Sequence, residues 1–376
     1  MKAINFRSPI TARAVRKPLA LAAASLLLSA VALPASATWW TPTPKATVGT
    51  VTVDVRSKGA LGDGVHDDTA AFQAAINSLP TTGGTVTVPA GRYMIDASKS
   101  INLRSHVRLQ MDAQAELDVI PNSLTKYYVI KAWKTTDVQI VGGSIVGDRA
   151  KHKGTTGEWG FGINITASTN VTVTGTKISN CWGDGIWIGA MGTAPNIVVS
   201  SNVTINGVVS DNNRRQGLSI GPAHDIYIVN STFSNSNGTA PQAGIDIEPQ
   251  SQGTAANIRI ENSTMFGSKG NGLEVQSNVS GLVMRNSTLR DNYGFGVFTG
   301  SPGTVEIDSN IMTRNGLAGI AINGTSHDVN VTNNTATFNN TRYISVTATG
   351  KGGVSRDLQV GLKTLNVYVA NNTLSP

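Results

Sequence analysis

The sequence predicts an all-β protein, a single-stranded right-handed parallel β-helix (a solenoid) with an N-terminal capping helix. Three observations lead to this class. Glycine is abundant, at 40 of 376 residues, whereas only 14% of residues are charged. A tetrad of Gly, apolar, polar and apolar residues recurs from Gly162 to Gly319, at spacings of 23, 32, 27, 28, 24 and 23 residues. Alternating segments and Asn-rich turns lie between the tetrads, as in stacked short strands.

The first 37 residues predict a secretory signal peptide. Five basic residues precede an apolar run, and Ala35-Ser36-Ala37 provides a small-x-small cleavage site. Residues 38–50 then predict a flexible leader. These features favour a secreted protein, extracellular or periplasmic, that is cleaved near Ala37. Five of the 30 basic residues and none of the 23 acidic ones lie in this segment, so the rest is nearly neutral and indicates no nucleic-acid partner.

Residues 51–95 predict the N-terminal cap of the β-helix domain, which we place at residues 51–376. Residues 67–76 form the one strongly helical segment, with Asp67 or Asp68 as the source of an N-cap oxygen and an apolar face of Phe72, Ala75 and Ile76. Such a helix would cover the open end of the apolar interior, because a solenoid needs a cap.

The tetrads and the intervening segments predict two or three short strands per coil. A single coil cannot bury its apolar faces, whereas stacked coils enclose Ile, Val and Leu in one continuous interior. Strands on successive coils then pair in parallel, about 4.8 Å apart. A β-propeller is excluded because its blades need about 40 residues each.

The N-terminal segment resembles the pectate-lyase-like superfamily. The resemblance is carried by residues 62–69 (GDGVHDDT), 73–76 (QAAI), 83–86 (GGTV) and 88–93 (VPAGRY). It implies a right-handed β-helix of the rhamnogalacturonase- and epimerase-like group, acting on an extracellular polysaccharide or oligosaccharide. It leaves the chemistry open, because the superfamily includes hydrolases, lyases, epimerases, phage tailspikes and binding proteins.

The polar positions of the tetrads predict a carboxylate cluster on one outer face. Because side chains alternate along a strand, Asp246, Glu248 and Glu274 point outward on adjacent coils. Asp246 and Glu248 are about 6.5–7 Å apart along one strand, and Asp246 and Glu274 about 5 Å apart across coils. Carboxyl groups of inverting glycosidases lie roughly 6.5–9.5 Å apart. We therefore expect Asp246, Glu248 and Asp184 to supply acid and base, and Glu274 to bind substrate.

Basic and aromatic residues near these strands predict contacts to a sugar. Two adjacent arginines, Arg214 and Arg215, precede Gln216 at a strand entry, where they could bind a carboxylate or sulfate, or pair with Asp184 and Asp246. The Trp187 side chain points outward beside the acids. We assign Arg215 to catalysis and expect Arg214, Gln216 and Trp187 to bind substrate.

The loop of residues 147–162 predicts a cover for one end of the groove. It contributes Arg149, Glu158 and Trp159 as substrate-binding candidates, the last either stacking on a sugar or packing on the core. If the reaction is an elimination or an epimerisation, His152 or Lys153 is the candidate base, and Arg214 or Arg215 would neutralise the uronate carboxylate.

Three functions remain open at this stage: a glycoside hydrolase, a lyase or C5-epimerase for a uronic-acid polymer, and a non-catalytic glycan-binding solenoid. The polygalacturonase series Asn-Thr-Asp, Asp-Asp, Gly-His-Gly and the epimerase element Tyr-Gly-x-Asp-Pro-His are both absent. No cofactor and no metal site is required, although the carboxylates could hold Ca²⁺. We expect no membrane partner, and the sequence leaves the oligomeric state open.

Overall fold

The chain forms a parallel β-helix built from three sheets. The computed structural model describes residues 45–193, 195–343 and 356–375. The predicted signal peptide, and the leader up to residue 44, lie outside the described residues. Within the described part, sheets A and B have 12 strands each and sheet C has 10, and the strands pair in parallel from coil to coil. The predicted fold class is therefore confirmed.

The strands of sheets A, B and C follow one another along the chain in each coil. Sheet A consists of Thr52–Asp54, Gly84–Val88, Val107–Met111, Thr136–Val141, Thr169–Thr174, Ser200–Asn206, Ala223–Val229, Ala255–Glu261, Val279–Arg285, Gly303–Asp308, His327–Thr332 and Leu365–Ala370. Sheet B consists of Asp63–Asp67, Gly91–Ile95, Ala115–Val119, Ser144–Val146, Lys177–Ser179, Val209–Asp211, Thr232–Ser234, Thr264–Phe266, Thr288–Arg290, Ile311–Thr313, Thr335–Thr337 and Thr373–Leu374. Sheet C consists of Ile101–Asn102, Lys126–Trp133, Trp159–Thr166, Ile186–Gly189, Leu218–Ile220, Ile245–Ile247, Leu273–Val275, Val297–Thr299, Ile320–Ile322 and Leu358–Val360.

An α-helix, Thr69–Ser78, packs beside the first coil, and its buried Phe72, Ala75 and Ile76 join the core. Asp67 accepts a hydrogen bond from the Thr69 backbone N–H, at 3.0 Å, at the start of this helix. Short 3₁₀ helices span Val55–Lys58, Gln250–Gln252 and Thr341–Tyr343. No helix within the described residues is long and apolar enough to cross a membrane.

The last residues of the predicted leader contact the first coils. The backbone N–H of Thr47 donates to Asp137 Oδ1 at 3.2 Å, and Gln139 Nε2 donates to the Ala46 carbonyl at 3.0 Å. Ala46 is buried. Residues 45–50 are thus tied to the domain by tertiary contacts rather than separate from it.

Buried Ser and Asn side chains form two ladders that run along the solenoid axis at the turns. In the first ladder, the backbone N–H of one member donates to the side-chain oxygen of the next member, one coil later, at 2.9–3.2 Å. The members are Ser268, Asn292, Asn315, Asn339 and Asp357. The other follows the Asn-Ser turns and contains Ser231, Ser263, Ser287, Asn310, Asn334 and Asn372. The ladders satisfy buried backbone groups and hold the turns in register.

Candidate active site

The outward column of sheet C brings together residues that are far apart in the sequence. Trp187 pairs with Ser219, Ser219 with Asp246, Asp246 with Glu274, and Glu274 with Phe298, each one coil from the next. The predicted register of the tetrads is therefore present in the structure. Asp184, Arg215 and Gln216 lie just before strands of this sheet, where the chain enters it from a turn.

Arg215 lies at the centre of the cluster and contacts three carboxylates. Its Nη1 donates to Asp184 Oδ2 at 3.1 Å, and its Nη2 donates to Glu248 Oε1 at 2.7 Å. Its Nε lies 3.7 Å from Glu158 Oε2. Of the two expectations for this arginine, pairing within the protein is the one that the geometry supports, because three acids already surround the guanidinium.

Asp246 is held from one side only. Gln216 Nε2 donates to Asp246 Oδ2 at 2.5 Å, whereas Asp246 Oδ1 is buried with no hydrogen-bond partner among the described residues. Ser219 Oγ contacts Gln216 Oε1 and also Asp184 Oδ2, the latter at 2.7 Å. These bonds link the column to the strand entries.

Glu274 is fixed by two amides of its own coil. Asn271 Nδ2 donates to Glu274 Oε2 at 2.9 Å, and Gln276 Nε2 donates to Glu274 Oε1 at 2.6 Å. Both oxygens are thereby oriented on a partly exposed strand face.

Burial raises the pKa values of three carboxyl groups in this cluster, because it disfavours the charged form. Burial raises the pKa of Asp184 to about 6, even though the Arg215 charge and the Ser219 hydrogen bond oppose the shift. Burial, with the charges of Glu248 and Glu274, raises the pKa of Asp246 well above its usual range. Burial also raises the pKa of Glu274, with a smaller contribution from the Glu248 charge.

The structure corrects the expected contact roles of Asp184 and Asp246. Both residues have 0% exposure, so neither carboxyl can touch a polymer in this conformation. The Glu248 side chain is 14% exposed and that of Glu158 is 37% exposed. The accessible acids of the site are therefore Glu248, Glu274 and Glu158, with Asp184, Asp246 and Arg215 beneath or between them.

Aromatic rings continue the outer face of sheet C on the N-terminal side of the acids. Trp187 stacks with Phe161 at 5.8 Å between ring centres, and Tyr128 packs on both Phe161 and Trp133. The Lys131 ammonium lies 4.8 Å from the Trp133 ring centre, and burial lowers the pKa of Lys131. We call the five residues Tyr128, Lys131, Trp133, Phe161 and Trp187 the aromatic platform.

Most of this platform was not predicted from the sequence. The Gly-initiated tetrads begin at Gly162, whereas Tyr128, Lys131 and Trp133 lie on the preceding strand of sheet C, which contains no such tetrad. The signal that could have found them is the register: Asn164 pairs with Lys131, and Thr166 with Trp133. Asn271 was also missed, although it occupies the residue before Gly272, as Asp184 does before Gly185.

The structure places His152 away from solvent. Its side chain has 0% exposure, its Nδ1 lies 2.8 Å from Asp148 Oδ2, and its ring stacks on Trp182 at 4.0 Å between centres. Tyr127 Oη donates to Asp148 Oδ1 at 2.5 Å. This enclosure corrects the expectation that His152 could reach a substrate as a base.

The remaining candidates of the loop and turn divide into half-buried arginines that brace the turns and an exposed tryptophan. Arg214 lies 3.9 Å over the Trp182 ring and donates to the Gly157 carbonyl at 2.8 Å. Arg149 donates to the Asn212 carbonyl and to Asn237 Oδ1, at 2.7 and 2.6 Å, so it braces neighbouring turns. Trp159 is the first residue of its strand in sheet C and is 46% exposed.

No group of three or more His, Cys, Asp or Glu side chains is arranged to hold a metal ion within residues 45–193, 195–343 and 356–375. The clustered carboxylates instead receive hydrogen bonds from Arg215, Gln216, Asn271 and Gln276.

The parallel coils and the carboxylate-bearing sheet C place the molecule in the class of right-handed parallel β-helix proteins. A family model described as "Right handed beta helix region" matches residues 241–358. A second, described as "Rhamnogalacturonase A/epimerase, pectate lyase-like", matches residues 52–299, well over half of the chain. The chain belongs to this second family, which confirms the resemblance in the N-terminal segment.

Similar proteins span several biological roles. The chain is 28% identical over 296 residues to the uncharacterized protein YclG of Bacillus subtilis, covering 70% of this chain and 51% of that one. It is 26% identical over 298 residues to mannuronan C5-epimerase AlgE5 of Azotobacter vinelandii, covering 74% and 26%. The chain thus spans about half of the first of these curated relatives and about a quarter of the second. Among solved structures, the AlgE4 A-module of the same organism aligns with a TM-score of 0.70 at 21% identity, covering 86% and 88%.

Proposed function

We propose that the protein is a secreted carbohydrate-active enzyme that hydrolyses a glycosidic bond of a polysaccharide lying along sheet C. The observation that carries the proposal is the pair of partly accessible acids, Glu248 and Glu274, in different electrostatic settings. Glu248 is ion-paired with Arg215 at 2.7 Å, whereas the pKa of Glu274 is raised by burial. Acid–base hydrolysis uses two carboxyl groups that are held in different environments.

Glu274 is the general acid in this proposal, since a raised pKa keeps a proton available for the leaving oxygen. Glu248 is the base that activates water. Glu274 is one coil from Asp246, and Glu248 follows Asp246 by two residues, just past the end of the strand, so the Cα atoms of the two glutamates are about 8 Å apart. We propose inversion of the anomeric carbon, because inverting enzymes hold their carboxyl groups roughly 6.5–9.5 Å apart and this backbone spacing lets the two side chains span that distance.

Asp246, Asp184 and Arg215 act as positioning residues. Arg215 connects the buried Asp184 to Glu248 and so fixes the orientation of the base. Asp246, whose pKa is raised by burial and by both glutamates, stays uncharged beneath them and avoids a third negative charge. The aromatic platform provides ring faces on which sugars of the same chain can stack.

The test is a panel of neutral, uronic-acid and sulfated polysaccharides, with reducing ends and product anomers measured by NMR. We expect new reducing ends, inverted products, and an activity loss of about 10²–10⁴-fold in Glu248→Gln and in Glu274→Gln. The matched control is Glu116→Gln, because the Glu116 side chain is 38% exposed on a strand of sheet B. We expect this variant to retain activity. Full activity in either glutamate variant would contradict the assignment.

A second candidate, a lyase or C5-epimerase for a uronic-acid polymer, is favoured by the similarity to AlgE5. It needs a base and a group that neutralises the uronate carboxylate. Of the bases expected, His152 is enclosed and Lys153 is exposed. Of the neutralising arginines expected, Arg215 is surrounded by acids, and Arg214 lies over Trp182 and donates to the Gly157 carbonyl. Ultraviolet absorbance of a new C=C bond identifies a lyase, and a changed ratio of sugar epimers identifies an epimerase. Binding without any product would favour the glycan-binding alternative.

Secretion remains part of the proposal and rests on the pattern of residues 1–37. Expression of the full chain in a bacterial host with N-terminal sequencing of the exported protein tests it. We expect the mature chain to begin near Thr38, and retention of the intact chain in the cytoplasm would contradict this.

A further inference from the structure

Two aromatic side chains lie on the C-terminal side of the carboxylate cluster, opposite the aromatic platform. Phe298 is the outward residue of its strand in sheet C and pairs with Glu274, one coil earlier. Phe295 lies just before this strand, and both side chains are partly exposed. Their ring centres are 5.5 Å apart, with 28° between the ring planes. We call these two residues the phenylalanine pair; the hydrolysis proposed above assigns them no role.

Phe298 and Trp187 lie at equal distances from Asp246 along the solenoid axis. Trp187 precedes Asp246 by two coils in the outward column, with Ser219 between them. Phe298 follows Asp246 by two coils, with Glu274 between them. Four coil spacings of about 4.8 Å place the two aromatic residues about 19 Å apart. The acids therefore lie in the middle of a row of five coils that has an aromatic side chain at each end.

The two ends of this row have a similar local construction. Trp187 stacks on Phe161 with 10° between the ring planes, and the phenylalanine pair is stacked in a comparable way. A glycine follows each outward ring by two residues. A Cβ on Gly189 would lie 2.6 Å from Trp187 Nε1, and a Cβ on Gly300 would lie 3.4 Å from Phe298 Cε1. Each glycine thus leaves space beside an outward ring that a larger side chain would fill.

Asn271 connects the phenylalanine pair to Glu274. Its Nδ2 donates to Glu274 Oε2 at 2.9 Å, and its Oδ1 accepts the backbone N–H of Phe295 at 2.8 Å. Asn292, three residues before Phe295, is a member of the buried ladder. Because these bonds fix the backbone, the rings lose less freedom on binding a sugar than they would on a mobile loop.

We propose that the phenylalanine pair is a second sugar-stacking site, so that a bound polysaccharide contacts aromatic rings on both sides of the acids and is cleaved at an internal bond. The cleavage part of this proposal rests on the proposed hydrolysis. A pyranose ring presents apolar C–H groups, which pack on aromatic faces whether or not the sugar is charged. The two stacking sites act on one molecule, so their contributions combine only in chains long enough to span the row.

The first test measures binding against chain length. It uses the mature chain with Glu248→Gln, so that hydrolysis is suppressed, and calorimetric titration with oligosaccharides of two to six units from cellulose, mannan, pectate and alginate. We expect at least one series to bind, with its five-unit member roughly tenfold tighter than its two-unit member. Equal affinity at all lengths, or binding of none of the four series, would overturn the proposal.

Variants in the same background locate the second contact. Phe298→Ala should weaken binding of the five-unit oligosaccharide about two- to tenfold, the range for loss of one stacking contact. Phe298→Leu, which keeps apolar bulk without a ring, should weaken it similarly, and Phe298→Tyr should retain it. The control is Phe338→Ala, because Phe338 is 72% exposed and directly follows a strand of sheet B. Melting temperatures verify the fold. Unaltered affinity in the leucine variant would overturn the second site.

The second test separates this proposal from the hydrolysis on which it rests. The wild-type chain should lower the viscosity of the polymer whose oligosaccharides bind while few reducing ends have formed, because internal bonds are cut. Release of single sugars with little loss of viscosity would overturn internal cleavage and leave hydrolysis in place. Length-dependent binding that Phe298→Leu weakens, without new reducing ends from the wild type, would support the stacking site and contradict the hydrolysis.

Discussion

Arg215 and Asp184 are joined by an ion pair of 3.1 Å although they lie 31 residues apart in the chain. Asp184 is fully buried and Arg215 is 8% exposed, so the pair is largely removed from water. A buried ion pair contributes little when intact, but an unpaired buried charge is costly. The correct stacking of coils is therefore coupled to the geometry of the site, because the pair forms only when the coils are in register.

Replacing Arg215 by Gln should destabilise the fold and not only the site. The change leaves Asp184 buried without its cation, which costs about 3–5 kcal/mol. Chemical denaturation of the mature chain measures the loss. Arg215→Gln combined with Asp184→Asn should regain part of the stability, because the second change removes the unpaired charge. Arg290→Gln, an arginine with a more exposed side chain, is the control and should cost less than 1 kcal/mol. Equal losses in the single and the double variant would contradict the coupling.

Asp246→Asn should change how stability depends on pH. The pKa of Asp246 is raised in the folded state, so the folded chain binds more protons than the unfolded chain between the unfolded and folded pKa values. Stability therefore falls as pH rises through that window. Asn mimics the protonated carboxyl and removes this loss. We expect similar melting temperatures for variant and wild type near pH 4, and a higher one for the variant at about pH 8. A variant that is less stable than the wild type at the higher pH would contradict an uncharged Asp246.

The Asn ladder should be needed for folding of the C-terminal coils. Asn315 Oδ1 accepts from Asn292 N at 3.2 Å and from Asn292 Nδ2 at 3.0 Å. Asn315→Ala leaves the buried backbone N–H of Asn292 without this partner, at about 1–3 kcal/mol, whereas Asn292 Nδ2 keeps its hydrogen bond to the Met265 carbonyl at 3.1 Å. Calorimetric melting should show a clear decrease, whereas Asn77→Ala on the exposed face of the α-helix should change little. An unaffected melting temperature would mean that other groups satisfy the ladder.

The repeat could be predicted from the sequence because the alternation that defines it lies within four consecutive residues. Each tetrad from Gly162 to Gly319 alternates polar and apolar residues, and alternation fixes which side chains face the interior. The register of Ser219, Asp246 and Glu274 then followed from equal positions within successive coils. The N-cap residues and the apolar face of residues 67–76 predicted the N-terminal helix from similarly local signals.

Burial at the site could not be read from sequence. Alternation assigns Asp246 to the outer face, but its exposure depends on neighbours from other coils, such as Gln216, which donates to Asp246 Oδ2. The same holds for His152, whose enclosure arises from stacking on Trp182, a residue 30 positions later. Side-chain contacts between coils with turns of unequal length have no pattern in the linear sequence.

The aromatic platform should contribute to substrate binding and not to the chemical step. The Trp133 ring is 37% exposed, and its Nε1 contacts Asn164 Oδ1, which fixes the orientation of the ring. Once the panel has identified a substrate, Trp133→Ala should raise KM about two- to tenfold, the range for loss of one stacking contact, with little change in kcat. Trp133→Phe keeps a ring face and should recover most of the affinity. Steady-state kinetics on long and short oligosaccharides measures both constants. A fall in kcat with unchanged KM would place Trp133 in the chemical step instead, because a contact made equally in the ground and transition states alters KM alone.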